Sequence, residues 1–388
     1  MSESLCSKSD VETSEFRVVN LSELTDRTAL PEQWSELLTR ATNRNFLQDT
    51  PWAEAVSNIL LPGKLNYYAV YNDMRIVAIV PLQKVSSGIW PFELRYLLLP
   101  THTDIYLNDI VIDQDYIDKP ILWEILKHIR TNEGFRWDYC RLRKFCRFTA
   151  LHTQLARTGA KLRRVGDYAY APCNDAQDYD SYSTKMLKNV RRLANKAARE
   201  IGPIEVSCSE DPASREAFYQ DFLDIESSGW KGPTGSDTSV MSSAVASAFF
   251  RSLYTSDRAS WHARVFLLKF GDKKAASLLT IKTGTVWFVL KTGYEEQYRD
   301  YGPGNILLHK FIAEAVDEPE VEKINLTTSP LWADRWHFQR EPVYETILYS
   351  KSLAALVSRM YFSTRNFVSP VVRYWRARNG ALRPWIQG

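Results

Sequence analysis

TVWFVLKTGYEEQYRDYGPGNILLHKFIAEAV, residues 285–316, decides how this chain is read. TVWFVLKTGY is β-branched and aromatic enough to be a strand. The polar loop EEQYRD follows, and Tyr301-Gly302-Pro303-Gly304-Asn305 opens an apolar helix with proline near its start. Glycines at a strand-to-helix junction let backbone N–H groups converge on one spot. A helix N-terminus adds roughly half a positive charge there. Together they form an anion site suited to a diphosphate. Arg299 precedes Gly302 by three residues and completes Arg-x-x-Gly-x-Gly over 299–304.

Working outward, WHARVFLLKFGDKKAASLLTIKT (261–283) leads into this strand as an antiparallel meander turning at Gly271-Asp272 and Thr283-Gly284. Upstream, STKMLKNVRRLANKAAREIG (183–202), SREAFYQDFLDIESSGW (214–230) and SSAVASAFFRSLY (242–254) read as helices. Downstream, VEKINLTTS (321–329) and VYETILYS (343–350) read as strands. The first half runs the same plan. Helices at 31–41 and 50–60 precede a hairpin around Asn72-Asp73-Met74, strands at 94–100 and 104–112, a helix at 119–134, a strand from Asp138, a short helix near 149–158 and a strand near 161–170. The expected architecture is a mixed α/β sheet repeated in two domains, 16–175 and 176–350, after a loose N-terminus at 1–15.

The 388 residues are 45% apolar and 24% charged, enough to bury two cores. Five cysteines, Cys6, Cys140, Cys146, Cys173 and Cys208, form no CxxC pair. The six histidines show no HExxH spacing, so neither a disulfide scaffold nor a metal site is expected. There is no secretory leader and no apolar run long enough to span a membrane, which sets a cytoplasmic expectation. The net charge of +3 is too small for a dedicated nucleic-acid binder. Charge is nevertheless uneven. Residues 351–388 hold seven basic and no acidic residues, leaving 42 basic and 46 acidic in the remainder. That tail interleaves arginine with Tyr361, Phe362, Tyr374, Trp375 and Trp385. Its composition fits either a packed final helix or peripheral contact with an anionic inner-membrane surface.

The Arg-x-x-Gly-x-Gly stretch resembles the acyl-CoA pyrophosphate loop of the GNAT acyltransferases, in its expected place after the fourth strand. IESSGWKGPTGSD (225–237) resembles the Glu-x-x-x-Trp-Lys-Gly-x-x-Gly element of their CelD-type tandem branch, through Glu226, Trp230, Lys231, Gly232 and Gly235. That branch is similar to the FemABX peptidyltransferases. The basic helix at 183–202, NFLQDTPWAEAV and AVYNDMRIVAIVPLQ also match its pattern. The resemblance implies a tandem GNAT-like fold with a cleft between two domains. It departs at SPLWADRWHF, where Ala333 or Asp334 stands near the family's lysine. The first domain has IDQDYIDKP, without glycine, where a phosphate loop belongs. Only the second domain is therefore expected to hold CoA, with the first shaping the acceptor side.

The resemblance implies acyl-CoA as co-substrate, with no permanently bound cofactor. Arg299, Tyr301, Gly302, Gly304 and Asn305 are the expected phosphate contacts, and the backbone of Leu290, Lys291 and Thr292 faces the thioester. Acyl transfer to an amine needs a base, oxyanion donors and an acid for the thiolate. Base candidates are Glu226, His309, Asp334 and Glu295, and Tyr294 and Tyr301 are candidate acids. Trp230, Lys231, Asp104 and Tyr106 are candidates for the acceptor side, with His102 and Asp109 nearby. The basic helix at 183–199 carries cations all round and fits CoA steering. The expected reaction is N-acylation of a cell-envelope amine, either an amino sugar of polysaccharide synthesis or an amino-lipid such as a sphingoid base. A Fem-like aminoacyl-tRNA-dependent transferase and a non-catalytic member of the fold are the alternatives.

Overall fold

The computed structural model describes residues 15–24, 28–88, 93–173, 184–229, 231–232, 237–256, 261–360 and 362. The first half contains β1 (Arg17–Asn20), α1 (Leu30–Arg40), α2 (Thr50–Ala55), β2 (Asn66–Asn72), β3 (Arg75–Ser87), β4 (Leu94–Leu98), β5 (Val111–Ile112), α3 (Ile121–Thr131), β6 (Tyr139–Cys146), α4 (Ala150–Arg157) and β7 (Arg163–Pro172). The second contains α5 (Thr184–Glu200), β8 (Ile204–Cys208), α6 (Arg215–Ser228), α7 (Ala244–Thr255), β9 (His262–Phe270), β10 (Lys273–Thr283), β11 (Val286–Tyr294), α8 (Pro303–Asp317), β12 (Lys323–Asn325) and β13 (Gln339–Tyr349). A further helical run covers 353–360.

Local sequence explains the helices. In α3, Ile121, Leu122, Ile125, Leu126 and Ile129 recur at helical spacing and are all buried. Asp49 caps α2 by accepting from the Thr50 amide, and Pro51 occupies the first turn. The cations of α5 do not ring the helix. Met186, Val190 and Ala197 form a buried stripe, with Leu193 packed beside them. Lys185, Lys188, Arg192, Lys196 and Arg199 share another face, because their spacing of three or four residues stacks them in one row.

The strands form one sheet in the order β1-β2-β3-β4-β6-β13-β7-β12-β11-β10-β9-β8, with β5 paired to β3. That order is palindromic. Each half contributes a four-strand antiparallel meander whose last strand pairs in parallel with a fifth, β4 with β6 and β11 with β12. The two central strands are exchanged. The chain's last strand, β13, inserts between β6 and β7, while β7 lies between β13 and β12. The sequence boundary near 175 is therefore not a boundary of the sheet. The halves also share a core, in which Phe46 and Trp52 of the first pack against Phe249 and Phe288 of the second.

The first strand of each half, β1 and β8, is too short to stand out in the sequence. The expected strand at 104–112 is realised only at Val111–Ile112. Residues 99–110 instead leave the sheet between β4 and β5, which lie one after the other along β3.

Glu345 pins the exchanged strand. Its side chain is 3% exposed and accepts from Arg141 at 3.0 Å, from Arg143 at 2.9 Å and from Arg163. Burial acts to raise its pKa, but Arg163 and Arg141 outweigh it and hold the carboxyl below the usual glutamate range. Its stabilisation is therefore complete above the unfolded value near ~4.3 and drains away as pH falls through the lower folded value. Glu345→Ala is expected to destabilise the protein by about 2–4 kcal/mol in urea unfolding at neutral pH, with a smaller difference in acid. Equal stabilities at neutral pH would show that the cluster does not pin the strand.

Candidate functional site

The site begins where two parallel strands part. β11 pairs with β12 only from Val286↔Lys323 to Phe288↔Asn325. Beyond that, β12 ends and β11 continues, so a notch opens at its edge. The register of β11 against β10 shifts between Leu279 and Thr280, which leaves Leu290 as an extra residue in β11. Such a bulge turns the local backbone out of the ladder. A cavity of about 460 Å³ fills the notch. Its lining brings Glu226, Lys231, Thr292 and Tyr294 together with Arg299, Gly302, Gly304 and Asn305.

The front of α8 closes one end of this groove. Gly302 sits at φ 62° and ψ 47°, a left-handed conformation that favours glycine. A Cβ there would also lie 2.9 Å from Leu193 Cδ1. Among the described residues no side chain caps the helix. The amides of Asn305 and Ile306 turn back to the Gly302 carbonyl, at 3.0 and 3.1 Å. The Gly304 amide bonds to none of the described residues. Arg299 lines the same end with its side chain 73% exposed.

Glu226 and Lys231 form the opposite wall. The Glu226 carboxylate is fully buried, accepting from Lys231 Nζ at 3.1 Å and from the Val240 amide at 2.7 Å. Lys231 Nζ also donates to the Thr292 carbonyl at 2.8 Å, on the free edge of β11. Burial lowers the Lys231 pKa, against the opposing pull of Glu226. The wall stands close because Gly293 lacks a side chain, since a Cβ there would meet Glu226 Cα at 2.7 Å.

A second cavity, about 330 Å³, adjoins the first and shares Lys231, Val289, Thr292 and Trp332 with it. Tyr106 of the first half, Leu290, Lys291 and Thr328 are among its other lining residues. The 99–110 excursion delivers the first half's contribution. Asp104 Oδ1 accepts from Lys291 Nζ at 3.2 Å, and His102 lies beside Asp104. Lys291 is mostly buried. That burial acts to lower its pKa, but Tyr106, Asp104 and Glu226 together raise it.

The same excursion fills the equivalent notch of the first half. β4 leaves β6 after Leu98↔Arg141. In the gap, the Asn108 amide donates to the Lys144 carbonyl at 2.6 Å, and Asn108 Nδ2 donates to the carbonyls of Arg143 and Pro100 at 3.0 and 3.2 Å. Asp109 beside it is buried under donors from Asn45, Gln48, Ile110 and Leu151. Burial nevertheless raises its pKa to about 7. It serves this packed interior and not the acceptor side.

Several sequence candidates fall away from the grooves. His309 lines neither cavity; its place on α8 lies toward Arg191 of α5, and burial lowers its pKa. Asp334 is exposed and paired with Arg340 at 2.6 Å. Glu295 lines neither cavity. Tyr301 turns toward α5, donating to Glu200 at 3.0 Å beneath Lys196. Each was placed by chain position, whereas side-chain direction on a helix or turn decides which face it serves. Trp230 and Gly235 lie outside the described residues. Sequence reading missed Trp332 and Arg335, which line the groove from the 3-10 turn Leu331–Trp336. Their signal was the clustering of Trp332, Arg335 and Trp336 directly after β12, in the stretch read only for a missing lysine.

Comparison with known proteins agrees with the tandem fold. Residues 184–336 match the family described as acetyltransferase (GNAT) domain. No curated protein sequence matches the chain. Among solved structures, FemX aligns with a TM-score of 0.52 at 13% identity, over 82% of this chain and 96% of its own. L-PGS from Bacillus licheniformis aligns at 0.51 and 15%, over 85% and 96%. A conserved protein of unknown function from Bacteroides thetaiotaomicron aligns at 0.50 and 11%, over 82% and 97%. At these identities the likeness is one of fold.

Gly293→Ala tests the packing of the wall. The obstructing atoms are backbone, so the added methyl must push α6 from β11. An expected loss of about 1–3 kcal/mol in thermal or urea unfolding follows. Unchanged stability would mean the two elements are not in such close contact.

Proposed function

We infer that this tandem GNAT-fold chain, with its acetyltransferase-family match in the second half, transfers an acyl group from a CoA thioester to an amine of a cell-envelope acceptor. The uncapped N-terminus of α8 carries the reading. Gly304, whose amide bonds to none of the described residues, and Arg299, which also pairs with Glu296 at 3.2 Å, line one open groove that runs to the notch in β11. A pyrophosphate at the helix end would leave a pantetheine arm lying along the strand edge. The first half offers no equivalent, because Asn108 occupies its notch. One CoA per chain follows.

The neutral amine attacks the thioester carbonyl. A C–N bond forms, the C–S bond breaks, the amine loses a proton and the CoA thiolate gains one. Backbone amides at the Leu290 bulge are the oxyanion donors, and Tyr294 is the candidate acid. Lys231 and Lys291 flank the junction of the two cavities. Both reach it as ion pairs, Lys231 with Glu226 and Lys291 with Asp104, so they offer the acceptor N–H donors and not two bare charges. Glu226 acts through Lys231, since its own oxygens are taken. The acceptor enters past Asp104 and Tyr106, and amino sugars and amino-lipids are the classes considered. The exposed cationic row on α5 favours a second reading, transfer from an aminoacyl-tRNA. Co-purifying RNA that supports turnover without CoA would establish that reading instead.

Calorimetry with CoA tests the donor site. Gly304→Asp should abolish binding, because its carboxylate takes the place of phosphate. Gly304→Ala should fold and retain measurable affinity, since its Cβ makes only ordinary contact, 3.7 Å from the Tyr294 ring. Binding that survives in the aspartate variant would move the site elsewhere. For the chemical step, Lys231→Met is expected to lower kcat about 100-fold with little change in CoA affinity. A change confined to KM would make Lys231 a binding residue only.

A further inference from the structure

The helix at 353–360 is docked inside out. Ala355 and Ser358 face the protein, at 0% and 5% exposure. Leu353, Leu356, Val357 and Met360 face outward at 83%, 55%, 66% and 63%. Their spacing of i, i+3, i+4 and i+7 makes one continuous apolar stripe. The orientation is fixed at the helix start. Ser352 Oγ donates to Asp138 Oδ1 at 2.6 Å and accepts from the Ala355 amide at 3.0 Å. The Ser350 amide donates to the Asp138 carbonyl at 2.8 Å. Phe362, four residues past Ser358, also turns inward, its ring 5.4 Å from Tyr139.

We propose that this stripe is the surface by which the protein docks on an anionic membrane, its four apolar side chains entering the acyl boundary. Charge selects that occupant. Lys351 and Arg359 flank the stripe, and residues 351–388 together carry seven basic and no acidic side chains. A second copy would bring that charge against itself, whereas an anionic bilayer neutralises it. The chain beyond 362 continues with Phe367, Tyr374, Trp375 and Trp385 among arginines, a composition suited to the headgroup layer. The inference deepens the proposed reaction and rests on it in one respect only: an enzyme held at a bilayer would draw its amine from the amino-lipid class in preference to a soluble amino sugar.

Co-sedimentation of the full chain with vesicles of 30% phosphatidylglycerol in phosphatidylcholine tests the docking. Binding is expected, with at least tenfold weaker partition on pure phosphatidylcholine and a marked loss in high salt. The double variant Leu356→Asp, Val357→Asp, at exposed positions, should fold normally and lose tenfold or more of vesicle affinity while keeping CoA affinity. Gly304→Asp should do the reverse, so failure of the donor site and failure of docking are separable. No preference for the anionic vesicles, an unaffected double variant, or a dimer in light scattering that the double variant dissociates would each overturn the proposal.

Discussion

The exchange of β7 and β13 is the constraint on which the rest of this structure depends. Each half needs a strand from the other to finish its side of the sheet. Glu345 sits on the exchanged strand and gathers arginines from both neighbours, Arg141 and Arg143 of β6 and Arg163 of β7. A buried carboxylate so surrounded penalises any register that separates it from its cations. The strand cannot slip by one residue without turning that carboxylate to the other face. The relative placement of the two halves is thereby fixed, and with it the reach of the 99–110 excursion to Lys291.

Symmetry of the backbone then makes the asymmetry of the site informative. Both halves part a parallel pair of strands after three paired residues. In the second half the gap stays open, with a glycine-started helix at one end. In the first half the chain folds back and Asn108 donates to three backbone carbonyls, those of Pro100, Arg143 and Lys144. Orphaned carbonyls at a splayed edge must be satisfied by the protein, by water or by a ligand. The first half solves this with Asn108, whereas in the second Thr327 Oγ1 donates to the Val289 carbonyl at 3.2 Å, Lys231 donates to the Thr292 carbonyl, and the edge between them faces the groove. The segment that closes the first notch also contributes Tyr106 to the wall of the cavity that holds Lys291.

The sequence made the second half legible because its signals are local. Gly302, Pro303 and Gly304 mark a helix start by backbone chemistry alone, and the strands before it turn at Gly271 and Gly284. Glu226 and Lys231 were found by resemblance, but their partnership was not, because it depends on α6 lying against Gly293. Residues 343–350 read as a strand, but its insertion between β6 and β7 did not show, since pairing between residues two hundred positions apart leaves no periodic trace. Asp104 and Tyr106 were placed on a strand that proved to be an excursion, where alternating polar and apolar residues satisfied loop packing instead of a sheet face. His309 and Asp334 show the complementary limit, being chosen by distance along the chain where only the direction of a side chain settles its use.

The central claim is that one groove, running from the front of α8 along the free edge of β11, receives CoA. Amide hydrogen exchange with and without CoA examines it most directly, at peptide resolution across both halves. The account predicts slowed exchange at 289–293 and 302–306 with no change at 105–121. Protection confined to the first half, or none at either end of the groove at saturating CoA, would contradict it.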